Sequence, residues 1–303
     1  MKSPFKSLRV AGAALLALAS LPSLAADKSG YVKSNGVNYY YEITGQGDPL
    51  VLLHGGLGSS GMFAPIMPAL TEHRQVITVD LYGHGRTALG SRPFSLVDMG
   101  DDVANVLKQL GVKQADVLGY SLGGGVAFRL AVQHPEAVRR LVLVSAGFSD
   151  AGFYPEIRAQ QNAIGANFAE QMKQTPMYQM YSALAPRPQD WARLLDKIGE
   201  LMKKDFDVPK DAVAGIKATT LVVAGDADIF PPSHAVEVFG LLGGGQRDGG
   251  WDGSGRPKSR LAILPGQTHY TMFNAPALAD TVIAFLDDTS ATATGATTPN
   301  SSR

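Results

Sequence analysis

The chain has 303 residues, 45% of them apolar and 18% charged, which supports a packed core and excludes a wholly disordered or collagen-like chain. Its 27 Lys and Arg balance 27 Asp and Glu, so no basic excess exists to hold a phosphate backbone and no nucleic-acid partner is expected. Cysteine is absent, which excludes disulfides, zinc–thiolate sites, iron–sulfur clusters and a Cys nucleophile.

The first nine residues carry Lys2, Lys6 and Arg9 and no acid, and Val10 to Leu21 is apolar apart from small residues. Pro22-Ser23-Leu24-Ala25-Ala26 then places small residues two apart. A basic start, a short apolar run and such a site predict a secretory signal peptide over residues 1–25, cleaved after Ala25. At about 12 residues the run falls short of the roughly 20 that a membrane span needs. Cleavage removes three cations and no acid, leaving 24 basic against 27 acidic residues and a net charge of −3. No later stretch approaches a span, so the expectation is an exported, periplasmic or secreted protein with no stable membrane span in its mature form.

Tyr31 to Ser34 and Val37 to Thr44 read as strands around Asn35-Gly36, a pair that favours a type I′ hairpin turn. Pro49 to His54 is a continuous apolar run ending in glycines, the pattern of a buried parallel strand. Gln75 to Leu81, Ala115 to Tyr120, Arg140 to Ser145, Thr219 to Ala224 and Arg260 to Leu264 repeat it. Helical periodicity fills the gaps at Ser95 to Leu110, Leu122 to Gln133, Ser233 to Leu242 and Ala275 to Leu286. This alternation predicts an α/β fold, a mostly parallel sheet covered on both faces by helices.

Phe148 to Lys217 breaks the rhythm. It is rich in Met, Gln, Tyr, Ala and Lys and shows no clear strand, which predicts a helical cap over 148–217 inserted into a core of 26–147 and 218–288. Gly243 to Lys258 is too rich in glycine for helix or strand and is expected to be an irregular surface flap, with reach toward a site through Trp251 and Asp252 as the alternative. The Thr/Ala/Ser-rich segment 289–303 is expected to be a disordered tail.

The strongest chemical signal is Gly119-Tyr120-Ser121-Leu122-Gly123, which follows one predicted strand and opens a predicted helix. That is the context of a nucleophile elbow: small residues on either side let strand and helix approach, and the Ser hydroxyl is pushed out at the carboxyl end of the sheet. The Leu122 N–H, at a new helix N-terminus, can then face a developing oxyanion. A Ser hydroxyl needs a base, and the base an orienting acid. Asp226 and Asp228 follow the strand at 219–224, and His269 follows the strand at 260–264, the order Ser, Asp, His. Asp228 lies further past its strand and is the favoured acid, with Asp226 and then Asp150 behind it. Among six histidines only His269 has the right order and loop; His73 and His134 read as surface or capping residues, and His54 and His84 lie nearer the site. His54-Gly55-Gly56-Leu57-Gly58 offers a second oxyanion donor, Gly56 or alternatively Leu57. Asp80 with Gly83-His84-Gly85-Arg86 reads as a loop that buttresses the site.

These segments together resemble the α/β-hydrolase superfamily, in its serine-hydrolase branch. They span most of the mature chain in the family's order. The resemblance implies an eight-strand sheet whose second strand runs antiparallel, and a helical cap after the sixth strand. It carries over Ser121 as nucleophile, Asp228 as acid, His269 as base, and Gly56 and Leu122 as oxyanion donors. Ser121 speaks against the haloalkane dehalogenases and many epoxide hydrolases, which use Asp there. Leu57 and Leu122 depart from the Pro and Trp usual in proline iminopeptidases.

The expected function is hydrolysis of small-molecule carboxylic esters through an acyl-enzyme. Alternatives on the same triad are another acyl or C–C bond hydrolase or a cofactor-free perhydrolase, and, from another class, a non-catalytic binding protein. Phe153, Tyr154, Met172, Met177, Tyr178, Met180 and Tyr181 in the cap would either line an apolar pocket or pack the cap helices. No cofactor or metal is expected, since neither metal-ligand spacing nor a dinucleotide fingerprint occurs.

Overall fold

A computed structural model describes residues 26–288 except 205. The expected signal peptide (1–25) and disordered tail (289–303) lie outside the described residues. Eight strands form one sheet: β1 Lys28–Ser34, β2 Val37–Thr44, β3 Asp48–Leu53, β4 Arg74–Val79, β5 Ala115–Tyr120, β6 Val138–Val144, β7 Thr219–Ala227 and β8 Arg260–Thr268. Their spatial order is β1-β2-β4-β3-β5-β6-β7-β8. β3 to β8 are mutually parallel, and β2 runs against β4 and β1. At the β1–β2 turn Asn35 and Gly36 have φ of 45° and 78°, the two positive values a type I′ turn requires.

Alternation along the strands divides the core. Val51, Leu53, Ile77, Val79, Val117, Leu141 and Leu143 face one layer. Leu50, Leu52, Val76, Leu118, Val142, Val144, Leu221 and Val223 face the other. The ten α-helices among the described residues are α1 Met67–Thr71, α2 Leu96–Gln109, α3 Leu122–Gln133, α4 Pro155–Asn162, α5 Ala169–Met172, α6 Pro176–Leu184, α7 Trp191–Lys204, α8 Lys210–Ala214, α9 Pro232–Leu241 and α10 Pro276–Asp287. Residues of α2, α3 and α9 bury against the first face, and those of α1 and α10 against the second. Ser95 caps α2, its side chain accepting the Asp98 N–H at 3.1 Å.

Helices α4 to α8 lie between β6 and β7, and no strand occurs there among the described residues. The amphipathic α7 organises them by burying Trp191, Leu194, Leu195, Ile198, Leu201 and Met202. Tyr178 and Tyr181 pack edge-on and tilted against Trp191, at ring separations of 5.3 and 5.2 Å. The chain leaves and re-enters the core at one neck, where Val208 N–H donates to Phe148 O at 2.7 Å. His234 of α9 plugs this neck, stacked 4.9 Å from the Phe148 ring.

Two strands outrun their sequence pattern. β7 reaches Ala227 and β8 reaches Thr268, three and four residues beyond the apolar runs that end at Ala224 and Leu264. Gly225 and the Pro265-Gly266 pair read as strand ends, but the two chains re-pair beyond an irregularity, with Ala227 opposite Thr268. The next residue on each strand is Asp228 and His269, so the extension itself sets acid beside imidazole. The segment 243–258 joins α9 to the start of β8 and therefore lies at the amino edge of the sheet. It is the surface flap, with Trp251 fully exposed, and the alternative reach of Trp251 and Asp252 toward the site is excluded by topology.

Candidate active site

Between β5 and α3 the chain turns at Ser121 with φ 53° and ψ −119°, a conformation a residue with a side chain rarely adopts. A Cβ on Gly119 would collide with the Gly123 carbonyl, and one on Gly123 with the Leu53 carbonyl, so glycine is what lets strand and helix come this close. The elbow is held by Ser121 N–H donating to Val144 O at 3.0 Å, and by Gly124 and Gly125 N–H donating to Ser121 O at 2.9 and 3.1 Å.

Three side chains meet above it. Ser121 Oγ lies 3.0 Å from His269 Nε2, and His269 Nδ1 lies 2.8 Å from Asp228 Oδ1. Asp228 Oδ1 also accepts the Ile229 N–H at 2.8 Å, and Oδ2 accepts the Ser145 hydroxyl at 2.6 Å and the Gly225 N–H at 3.3 Å. Burial is the largest single influence on this carboxyl and works against its charge. The hydrogen bond and charge of His269, the Ser145 hydroxyl and the Ile229 N–H together outweigh burial and hold the carboxyl below its usual range. An ionised carboxylate only accepts, so His269 Nδ1 carries the proton and Nε2 presents a lone pair to the Ser121 hydroxyl. That is the arrangement by which an imidazole takes a hydroxyl proton while a buried anion balances the resulting charge.

Tyr120 clamps the imidazole loop. Its hydroxyl donates to His269 O at 2.6 Å and its ring lies 5.3 Å from the imidazole ring. Tyr120 occupies the variable position before the serine in the elbow motif, so its position carried a signal, but nothing in the sequence identifies its bond to His269. Ser145 was missed as well.

The loop after β3 approaches the elbow from the other side. A Cβ placed on Gly56 would sit 3.7 Å from Leu122 Cβ, so the two backbones are neighbours. Gly55 N–H is engaged by Met62 Sδ at 3.4 Å. Among the described residues the N–H groups of Gly56 and Leu122 have no protein acceptor and remain open to a ligand oxygen. Leu57 takes the strained turn, with φ 58°.

Beneath this loop His54 and His84 are fully buried, with ring centroids 5.3 Å apart. His54 Nε2 accepts the Leu81 N–H at 3.0 Å. Burial pushes its pKa down to about 4, and burial together with the neighbouring His54 pushes His84 down to about 3, so both imidazoles are neutral. Asp80 ties the two loops together, its carboxylate accepting the Ser60 N–H at 2.7 Å and the Arg86 N–H at 2.8 Å.

The other candidates lie elsewhere. Asp226 is exposed and accepts the Gly266 N–H at 2.8 Å, bridging the ends of β7 and β8. Asp150 forms an ion pair with Arg158 of the cap. His73 is exposed beside Glu72, and His134 caps α3 and contacts Asp101 at 2.7 Å. Of the cap side chains, Phe153 and Tyr181 are buried in packing. Met180 touches the site's surroundings, its Sδ accepting the Ser59 hydroxyl at 3.0 Å. Among the described residues no three His, Asp, Glu or Cys side chains gather as metal ligands would.

Comparison with known proteins agrees with this fold. Residues 48–177 match the family model described as the alpha/beta hydrolase fold. A protein of Serratia proteamaculans named carbamate hydrolase RutD is 30% identical over 218 residues, covering 64% of this chain and 80% of that protein. The Yersinia enterocolitica protein of the same name is 43% identical over 112 residues, 35% of this chain and 40% of its own length. The chain spans 40–46% of the length of the first curated relatives it matches. A solved structure described as a hydrolase from Pseudomonas aeruginosa PA01 superposes with a TM-score of 0.65 at 24% identity, over 87% of this chain and 100% of that one, a likeness of fold. The chain belongs to the α/β-hydrolase superfamily.

Proposed function

We propose that this chain is an exported serine hydrolase that cleaves small carboxylic esters through an acyl-enzyme. The observation that carries the reading is the hydrogen-bonded run from Ser121 Oγ through His269 to Asp228, at 3.0 and 2.8 Å. His269 takes the Ser121 proton as Oγ attacks the ester carbonyl carbon. Asp228 keeps the imidazole in the productive tautomer and balances the imidazolium. The Gly56 and Leu122 N–H groups receive the oxyanion, and each is worth roughly 3–4 kcal/mol of transition-state stabilisation. The tetrahedral adduct collapses as His269 returns the proton to the departing alkoxide. Water, activated by the same imidazole, then releases the acid.

Carbamates are the second reading, because the relatives of Serratia and Yersinia are named for them. The same attack would expel an amine, or an alcohol that leaves a carbamoyl-enzyme for water to release as carbamic acid, and an amine leaving group asks more of His269 as a proton donor. Export rests on the pattern of residues 1–25, and the mass of the mature N-terminus tests it.

The experiment is pre-steady-state hydrolysis of short p-nitrophenyl esters and matched carbamates, run beside Ser121→Ala. A burst equal to the enzyme concentration, abolished in the variant, is expected for esters. Ser121→Ala should lower kcat by roughly 10⁶-fold. Equal slow rates in both proteins, with no labelling of Ser121 by a fluorophosphonate, would leave a binding protein.

A further inference from the structure

We propose that Ser145 is a positioning residue of this site: its hydroxyl locks the Asp228 carboxylate in the orientation that faces His269. The proposal rests on the serine-hydrolase reading above.

Ser145 follows β6 directly, is 1% exposed, and has φ 48°. L-residues with side chains avoid that region because Cβ crowds the following carbonyl, and nothing about serine relieves the crowding. The conformation is imposed from two sides. Ser145 N–H donates to Val223 O at 2.8 Å, prolonging the β6–β7 ladder by one bond. Beyond it, Ala146 is pressed against the elbow helix so closely that a Cβ on Gly124 would collide with Ala146 Cβ. A turn confined between ladder and elbow directs one side chain at the end of β7, and it brings Ser145 Oγ to 2.6 Å from Asp228 Oδ2.

The distribution of donors on Asp228 gives that bond its importance. Oδ1 takes His269 Nδ1–H and Ile229 N–H, both at 2.8 Å. Oδ2 has the Ser145 hydroxyl and one longer bond from Gly225 N–H at 3.3 Å. The carboxylate can only accept, so the Ser145 proton points at Oδ2. Without it one short donor is lost from a fully buried anion, and only the longer Gly225 bond holds Oδ2 against rotation of the carboxylate about Cβ–Cγ. The Ser145 hydroxyl bonds to Asp228 and not to Ser121, and it acts through that carboxylate.

Two substitutions separate hydroxyl from backbone. Ser145→Gly suits a positive φ and removes only the donor. Ser145→Asn also tolerates the left-handed region and returns a donor through its amide. In the mature protein, Ser145→Gly should lower kcat for p-nitrophenyl acetate roughly 10- to 100-fold, the worth of one hydrogen bond to a charged group, with KM within about twofold. The low-field proton resonance of His269 Nδ1–H should broaden or move upfield in the same variant. Ser145→Asn should recover both, and thermal melting should show both variants folded. The proposal is overturned if Ser145→Gly keeps kcat and the resonance, or if a folded Ser145→Asn recovers neither. Absence of Ser121-dependent turnover in the parent protein would defeat the esterase reading alone, because the His269 resonance still reports whether Ser145 holds Asp228.

Discussion

Two fully buried carboxylates at opposite edges of one sheet are held in opposite ways. At the amino edge, Asp116 is the second residue of β5 and receives a two-pronged contact from Arg139, Nε and Nη2 each at 2.8 Å, with Arg74 at 3.4 Å. Arg139 reaches on to Asp48 at 2.7 Å, and Arg74 to Asp287. At the carboxyl edge, Asp228 is met by a hydroxyl, two backbone N–H groups and one imidazole. Guanidinium never yields its proton in a protein, so the charge of Asp116 is cancelled permanently and its place is structural. The charge of Asp228 is left for a partner that can gain a proton and lose it again. Burial of an acid is thus uninformative by itself; what separates the two is whether its partner can exchange a proton.

The sharpest test of that contrast is the same substitution at both edges. Asp228→Asn keeps the shape but lets an amide N–H face the imidazole, reversing its tautomer, and should cost roughly 10⁴-fold in kcat at little cost in fold. Asp116→Asn should leave kcat unchanged and destabilise the chain by about 2–3 kcal/mol in urea unfolding, because it strands Arg74 and Arg139 beside an uncharged partner. If both variants lost activity equally, the two edges would not be functionally distinct.

A smaller effect distinguishes the edges by pH. His54 and His84, with pKa values pushed down to about 4 and about 3, lie beneath the glycine-rich loop after β3 at the carboxyl edge. In the unfolded chain both return to about 6.5. The unfolded state therefore binds protons that the native state refuses, so their stabilising contribution is whole above about pH 6.5 and is lost as pH falls toward 4 and then 3. The depressed carboxyl of Asp228 acts in the same sense at lower pH, contributing stability above the carboxylate range and losing it as pH falls through its own titration. Unfolding free energy should accordingly decline from pH 6.5 downward, before most carboxylates titrate, and a flat profile over pH 4–6.5 would break the assignment of neutral buried imidazoles. The smallest effect concerns the amino edge alone. Trp251→Ser should change neither kcat/KM nor stability by more than about 0.5 kcal/mol, as expected of a fully exposed side chain remote from the site.

The strands were legible where a run of apolar residues is buried on both faces, as at β3 and β5, because burial leaves its mark on every residue. The ends of β7 and β8 were not, because Gly225 and Pro265-Gly266 resemble strand breakers and their pairing depends on a partner far along the chain. Ser121, Asp228 and His269 were legible from order and loop position, since each sits at the carboxyl end of a recognisable strand. Ser145 sits in the same kind of place yet left no trace. A serine after a strand is ordinary, and only the left-handed turn and the arrival of Asp228 from β7 give it a partner. The same holds for the cap aromatics: composition marks Tyr178 and Tyr181, but only α7 with Trp191 decides that they pack.

The single neck joining the helical insertion to the sheet has a consequence for how such chains diversify. With Phe148 and Val208 bonded to each other, the intervening sixty or so residues leave and rejoin the sheet at one place, and they touch the core elsewhere through side chains, as where Arg193 donates to Gly90 O and Lys197 to Arg92 O. Lengthening, trimming or exchanging that insertion leaves both ends of the neck in place, so the register of β6 and β7 is expected to survive it. Recombination at two adjacent backbone positions can therefore exchange the insertion as a unit while the strands that carry Ser121, Asp228 and His269 are inherited unchanged.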